Sequence, residues 1–233
     1  MKSAAELVYV RKASALTQAA HETANRLTVP GVSLAKLRGG MLATAVEGGG
    51  DPPGVRWPIA CGRGAMVVRY YTGSGDGEVG VDDQVTHEIG VPFRHYYFVI
   101  MHTIVTGKAD PRHRAMFAAC RAALDACEDR LRPGRTLGDV YAAHAETFIA
   151  AGYPKILNAC GYPLAATYPP TWVEQPIICR DHPLVLRPGM VVFLYMILQD
   201  MEAGLAMSLG ETALVTEGEA ERLTRAPREL VVN

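Results

Sequence analysis

Few side chains in this chain have both the type and the placement to do chemistry, and Glu88 is the first of them. It lies in QVTHEIGVPFRHYYFVIMHTIVTG, residues 84–107. That composition reads as two long strands, with a bend expected at residues 90–92. Glu88 falls in the first strand and Val99, eleven residues on, in the second. A carboxylate held in a pocket can serve as general base, general acid or nucleophile. Side chains alternate along a strand, so if Glu88 and Val99 face inward, Thr86, Tyr97 and Met101 do too, while His87 and His102 take the other face. The five cysteines, Cys61, Cys120, Cys127, Cys160 and Cys179, are odd in number and lack CxxC spacing. They read as reduced thiols of a cytoplasmic protein. Cys160 has no recognisable base beside it and reads as inert.

The elements that must position these residues have clear punctuation. Ser3 and Glu6 form a capping box that opens a helix to about Leu27. A second helix is expected from Ser33 to about Val46, with Leu34, Leu37 and Met41 on one face. Residues 65–72, rich in Val and Tyr, read as a strand. Asp110 and Pro111 start a third helix as N-cap and first residue. Phe117, Cys120, Leu124, Cys127 and Leu131 recur along it at helical spacing, so these cysteines belong to a core stripe. Thr136 and Asp139 cap a fourth helix, which Gly152 ends. Residues 155–182 read as loop-rich. Strands follow over 190–198 and 205–216, with a short terminal one at 229–232.

Two helices, strands, two helices and strands suggest a duplicated unit. Strands grouped between helices argue for an α+β fold with helices on one face of a mainly antiparallel sheet, in one domain spanning residues 1–233. The net charge of −1 offers no footprint for nucleic acid. The longest apolar runs are of strand length, so no membrane segment is expected.

The run LRPGRTLGDVYAAHAETFIAAGY, then CGYPLA, LRPGMVVFLYM and GETALVTEGEAERLT, resembles in order and spacing the creatinase/aminopeptidase, or pita-bread, family. The resemblance covers about residues 11–230. It implies a curved sheet with internal pseudo-twofold symmetry and a site on the concave face. It also implies frequent pairing of subunits, hence a homodimer. Peptidases of that family hold two divalent metals with two aspartates, a histidine and two glutamates. By resemblance these positions fall on Glu88, Val99, Tyr162, Tyr195 and Glu211. A further histidine of the family falls on Arg69, which reads as a structural partner of a carboxylate. Valine supplies no ligand and neutral tyrosine is a poor one, so no catalytic metal and no other cofactor are expected.

What remains resembles a metal-free branch of the family represented by ectoine hydrolase. That branch opens a cyclic amidine with a glutamate at the position of Glu88. The implied activity is hydrolysis or rearrangement of a C–N bond in a small nitrogenous substrate. Glu88 would be nucleophile or base and Glu211 would hold positive charge or act as acid. Arg69, Tyr97, Val99, Tyr162, Trp172 and Tyr195 would line the pocket, the aromatics packing on a cation. Tyr162 and Tyr195 could equally fill an emptied metal site. The alternatives are a biosynthetic cyclase or isomerase in the same pocket, and an inactive domain used for binding or subunit association. Two inward carboxylates, kept against their desolvation cost, argue for the enzyme.

Overall fold

The computed structural model describes residues 1–67, 77–155, 158–164, 166 and 171–233. Four helices, α1 (Ala4–Leu27), α2 (Leu34–Glu47), α3 (Pro111–Arg130) and α4 (Leu137–Ala150), lie against a nine-stranded sheet. The strands are β1 (Ile59–Cys61), β2 (Asp83–Phe93), β3 (Tyr96–Thr106), β4 (Ala159–Pro163), β5 (Ile178–Cys179), β6 (Val191–Asp200), β7 (Leu205–Leu214), β8 (Glu221–Arg222) and β9 (Val231–Val232). The main path runs β1-β2-β3-β7-β6-β4-β5, with β8 beside β7 and β9 beside β3. Apart from β9, which runs parallel to β3, the pairs are antiparallel.

The helix ends follow from local chemistry. The Ser3 hydroxyl accepts from the Glu6 N–H, and the Glu6 carboxylate accepts from the Ser3 N–H at 2.7 Å. Thr136 and Asp139 repeat this at α4, and Asp110 with Pro111 opens α3. Gly152 takes φ +88°, which a side chain would strain, and the chain leaves α4 there.

The path repeats about the β3/β7 seam, with β5 as an additional edge strand of the second half. Each half has two helices, a short outer strand and a long hairpin: α1 and α2 with β1 and β2–β3, then α3 and α4 with β4 and β6–β7. All helices share one face. His102 and Leu209 are register partners across the seam, and α1 packs behind one as α3 packs behind the other. Leu194, Met196, Met207 and Leu209 form a core with α3 and α4. Thr17 stitches α1 to the first hairpin, donating to the Phe98 carbonyl at 3.1 Å and accepting from the Val91 N–H at 3.1 Å.

Two local expectations are corrected. β2 runs unbroken through residues 90–92, and the chain turns instead at Arg94 and His95 (φ 52° and 69°), a two-residue turn closed by the pair Phe93 and Tyr96. Asp51 steadies this turn by accepting from the His95 N–H at 3.0 Å. Residues 65–67 belong to a 3-10 helix (Gly62–Val67), because Ala65 and Met66 bury against Ala206. The rest of that expected strand, with Arg69, lies outside the described residues. The loop-rich stretch 155–182 holds the two short strands β4 and β5. Gly161 lets β4 lie close to β6, since a Cβ there would stand 2.4 Å from the Phe193 carbonyl oxygen.

Candidate active site

Strand register decides which side chains meet. Glu88 pairs with Met101, Met101 with Gly210 and Gly210 with Tyr195, so this row crosses β2, β3, β7 and β6 on the face away from the helices. Val99, opposite Gly90, and Tyr97, opposite Pro92, share that inner face. Phe193 and Ile197 join Tyr195 there, and Tyr162 pairs with Phe193. His87 and His102 point to the helices, as their alternation with Glu88 and Val99 requires.

The centre of the inner face is a hydrogen-bond chain. The Tyr162 hydroxyl donates to Glu88 Oε1 at 2.6 Å, and the Trp172 indole N–H donates to the Tyr162 oxygen at 2.8 Å. The first distance is that of a charge-assisted O–H···O⁻ bond. It also measures the curvature of the sheet. Tyr162 is on β4 and Glu88 on β2, with β3, β7 and β6 between them. In a flat sheet four strand spacings would separate them by about 19 Å, beyond the reach of the two side chains. The sheet must therefore curl, and Glu88 stands inside the curl.

Aromatic rings build the walls. Tyr162 lies 5.2 Å from Phe193 and 5.9 Å from Tyr195, and Phe193 lies 6.0 Å from Tyr195. Trp172 packs over Gly90, with Tyr97 6.0 Å away. The Tyr97 hydroxyl accepts from the Gly54 N–H at 2.7 Å, tying down the loop that leads to Trp57. Trp57 donates to the Gly90 carbonyl at 3.0 Å, and the Pro58 carbonyl accepts from the Glu88 N–H. These loop contacts fix β2 from its outer edge. Sequence reasoning missed them because residues 51–58 carry no periodic signal. Glu88 is 5% exposed.

Val99 holds the seam at its backbone. Thr212 Oγ1 donates to the Val99 carbonyl at 2.9 Å and accepts from its N–H at 3.2 Å. This side chain replaces ladder bonds where β3 and β7 diverge, since their register pairs are Met101 with Gly210 and His102 with Leu209.

Glu211 is not part of this face. It pairs with Leu194, so it points to the helix side together with Leu209 and Ala213. There Arg222 Nε donates to it at 2.6 Å and Arg228 Nη2 at 3.0 Å, and Arg228 also pairs with Asp125 and Glu128 of α3. The expectation that Glu211 faces Glu88 is corrected. The inner position beside it is Gly210, where a Cβ would meet Phe193 Cζ at 2.8 Å, the Leu194 carbonyl oxygen at 2.9 Å and Met101 Cβ at 3.0 Å. On β2, β3, β4, β6 and β7, Glu88 is the one carboxylate that the register puts on the inner face.

This donor set does not fit a pair of divalent cations, which need several carboxylate or imidazole ligands. At the family's ligand positions the inner face supplies one carboxylate (Glu88), two tyrosines (Tyr162 and Tyr195) and a valine (Val99), and Gly210 has no room for a longer side chain. Among the described residues, no group of three or more His, Cys, Asp or Glu stands close enough to hold a metal ion. Among them too, no helix is long and apolar enough to cross a membrane.

The comparisons with known proteins agree with the geometry of the sheet. The chain is similar to ectoine hydrolase of Halomonas elongata, 24% identical over the whole chain and 60% of that protein. It is similar to a Xaa-Pro dipeptidase of Pyrococcus furiosus, 26% identical over 64% of the chain and 42% of that protein. Among solved structures, the dipeptidase PepE of Mycobacterium ulcerans superposes with a TM-score of 0.88 at 25% identity, over 99% of this chain and 61% of that one. The prolidase of Pyrococcus horikoshii superposes with a TM-score of 0.91 at 22% identity, over 99% and 65%. The chain thus spans about 60% of the length of the curated relatives that match it end to end. The model of metallopeptidase family M24 matches residues 8–217. With its curved, mainly antiparallel sheet and its repeated halves, the chain has the pita-bread fold and belongs to metallopeptidase family M24.

Proposed function

We propose that this protein is a metal-independent hydrolase of the M24 fold, acting on a C–N bond of a small cationic substrate of the cyclic amidine or guanidine class. The observation that carries the reading is Glu88, buried at the centre of the inner face and held by Tyr162. A lone carboxylate among aromatic rings suits a planar monocation, which offers charge to the carboxylate and its faces to the rings. The similarity to ectoine hydrolase supports the same substrate class.

The chemistry follows from that one group. Glu88 takes a proton from water as its oxygen bonds to the amidine carbon. The protonated Glu88 then returns that proton to the departing nitrogen as the C–N bond breaks. Water and amidine become amide and amine, and Glu88 ends as it began. Direct attack by Glu88 on the amidine carbon, with the amine as leaving group, forms an acyl imidate on the carboxyl, and water then cleaves it to the same amide and restores Glu88. No step needs a second carboxylate.

A second reading has its own observation. Tyr162, Phe193, Tyr195 and Trp172 are each less than 5% exposed and pack on one another, as in a plugged site used for binding or subunit association. Incubation with a panel of cyclic amidines and guanidines in the presence of chelator, followed by mass spectrometry, separates the two. The hydrolase reading expects amide product from the wild type and loss of turnover by at least 100-fold in Glu88→Gln. Absence of product across the panel favours the plugged site.

A further inference from the structure

We propose that Arg38 of α2, with Arg56 beside it, binds a small oxyanion, a carboxylate or a phosphate. Two of the Arg38 donors, Nε–H and Nη2–H, are buried and have no hydrogen-bond partner. They are the two that point side by side along one edge of the planar guanidinium. That edge matches two oxygens of one oxyanion, which can take both bonds at once. Arginine stays charged in a protein, so Arg38 cannot escape the cost of burial by losing its proton. A buried cation whose donors meet no acceptor is destabilising, and buried polar groups are otherwise nearly always paired.

The surroundings add positive charge rather than a partner. Leu37, Met41, Val55 and Trp57 share one core, which sets Arg38 and Arg56 at the junction of α2 with the loop before Trp57. Burial and the charge of Arg56 both push Arg38 below the usual range of a guanidinium. Among the described residues, no carboxylate forms an ion pair with either group. An oxyanion between the two takes both bonds of the Arg38 edge and offsets the repulsion from Arg56. Arg38 is half-buried and Arg56 exposed, so the pair sits at the edge of the protein, and a side-chain rotation admits a small ion. The site is independent of Glu88, and its test uses neither substrate nor turnover.

The experiment uses the full chain in a buffer free of phosphate and carboxylates. Inorganic phosphate and acetate are titrated separately, with chloride at equal ionic strength as the control. The arginine Nε–H signals are followed by ¹⁵N NMR. Arg38→Met assigns the Arg38 signal and keeps an apolar stem in place. The Arg38 Nε–H should shift with a saturable midpoint for phosphate, for acetate or for both, and not for chloride. Saturation by phosphate alone makes this a phosphate site, and by acetate alone a carboxylate site. Arg56→Gln should weaken the midpoint by about tenfold, the worth of one charge-assisted bond. An Arg38 signal that ignores both anions overturns the proposal. So does a linear response shared with chloride, which is screening alone, and an unchanged midpoint in Arg56→Gln overturns the paired site. Should Arg38→Met fail to fold, Arg38→Lys assigns the signal instead, because it keeps the charge and removes the planar edge.

Discussion

The two halves of the sheet carry the same elements and treat a carboxylate in opposite ways. In the first hairpin Glu88 faces the inside of the curl and meets a neutral phenol. In the second Glu211 faces the helices and meets two guanidinium groups. Glu211 is one residue from Gly210, the inner-face position, and a step of one along a strand exchanges faces. The helix faces differ as well. Behind the first hairpin His21, His87 and His102 cluster, with His21 Nδ1 and His87 Nε2 3.2 Å apart, whereas the second hairpin packs Leu and Met against α3. The fold thus preserves shape in both halves and sets a carboxylate on the inner face of one.

The sharpest way to break the comparison is at Glu211. Glu211→Ala removes the carboxylate from a nearly buried ion-pair network and leaves Arg222 and Arg228 without it, at a cost of about 3 kcal/mol. For a chain of this size that lowers Tm by roughly 10 °C by calorimetry, with ligand response at the inner face intact. A Glu211→Ala variant as stable as wild type would show that the network is decorative.

The histidine cluster gives the next effect. Burial lowers His21 to about 4 and His102 to about 3, and it holds His87 well below the usual range, with its two neighbours adding to the effect. These groups are neutral in the folded chain, while the unfolded chain binds protons near pH 6.5. Stability is therefore fully present above pH 6.5 and is lost as pH falls toward the folded values. Each group contributes up to about 1.4 kcal/mol per pH unit in that window. Urea titrations between pH 7 and 5 should show the loss, and His102→Gln should flatten it. An unchanged slope would place the pH sensitivity elsewhere.

Tyr162→Phe comes third. It leaves the Trp172 N–H and one Glu88 oxygen without this partner, for about 1–2 kcal/mol by denaturant unfolding. Thr212→Val is the smallest. It removes the bridge to Val99 and should cost about 1 kcal/mol, with the first hairpin loosened in hydrogen exchange. A loss confined to the second hairpin would show that the seam does not depend on Thr212.

Much of this was legible in the sequence. Ser3, Asp110, Thr136 and Gly152 bounded helices because capping is local chemistry. Glu88 reads inward only through the family resemblance, since residues 84–92 are all buried and β2 has no polar alternation of its own. The face of Glu211 was not legible. Residues 206–214 are all buried, so β7 carries no polar alternation from which to read its phase. β4 escaped notice because its Cys-Gly-Tyr-Pro looks like a turn until β6 is there to pair with it. The relay from Trp172 to Glu88 depends on the curl of the sheet, a long-range property that local pattern does not encode.

The most direct test of the account is thermal unfolding of chelator-treated protein with and without a cyclic amidine. Wild type and Glu211→Gln should both be stabilised, by about 2.7 kcal/mol at one hundred times Kd, and Glu88→Gln should not respond. Stabilisation that persists in Glu88→Gln, or that appears only after a divalent metal is restored, would contradict the assignment of metal-independent chemistry to Glu88.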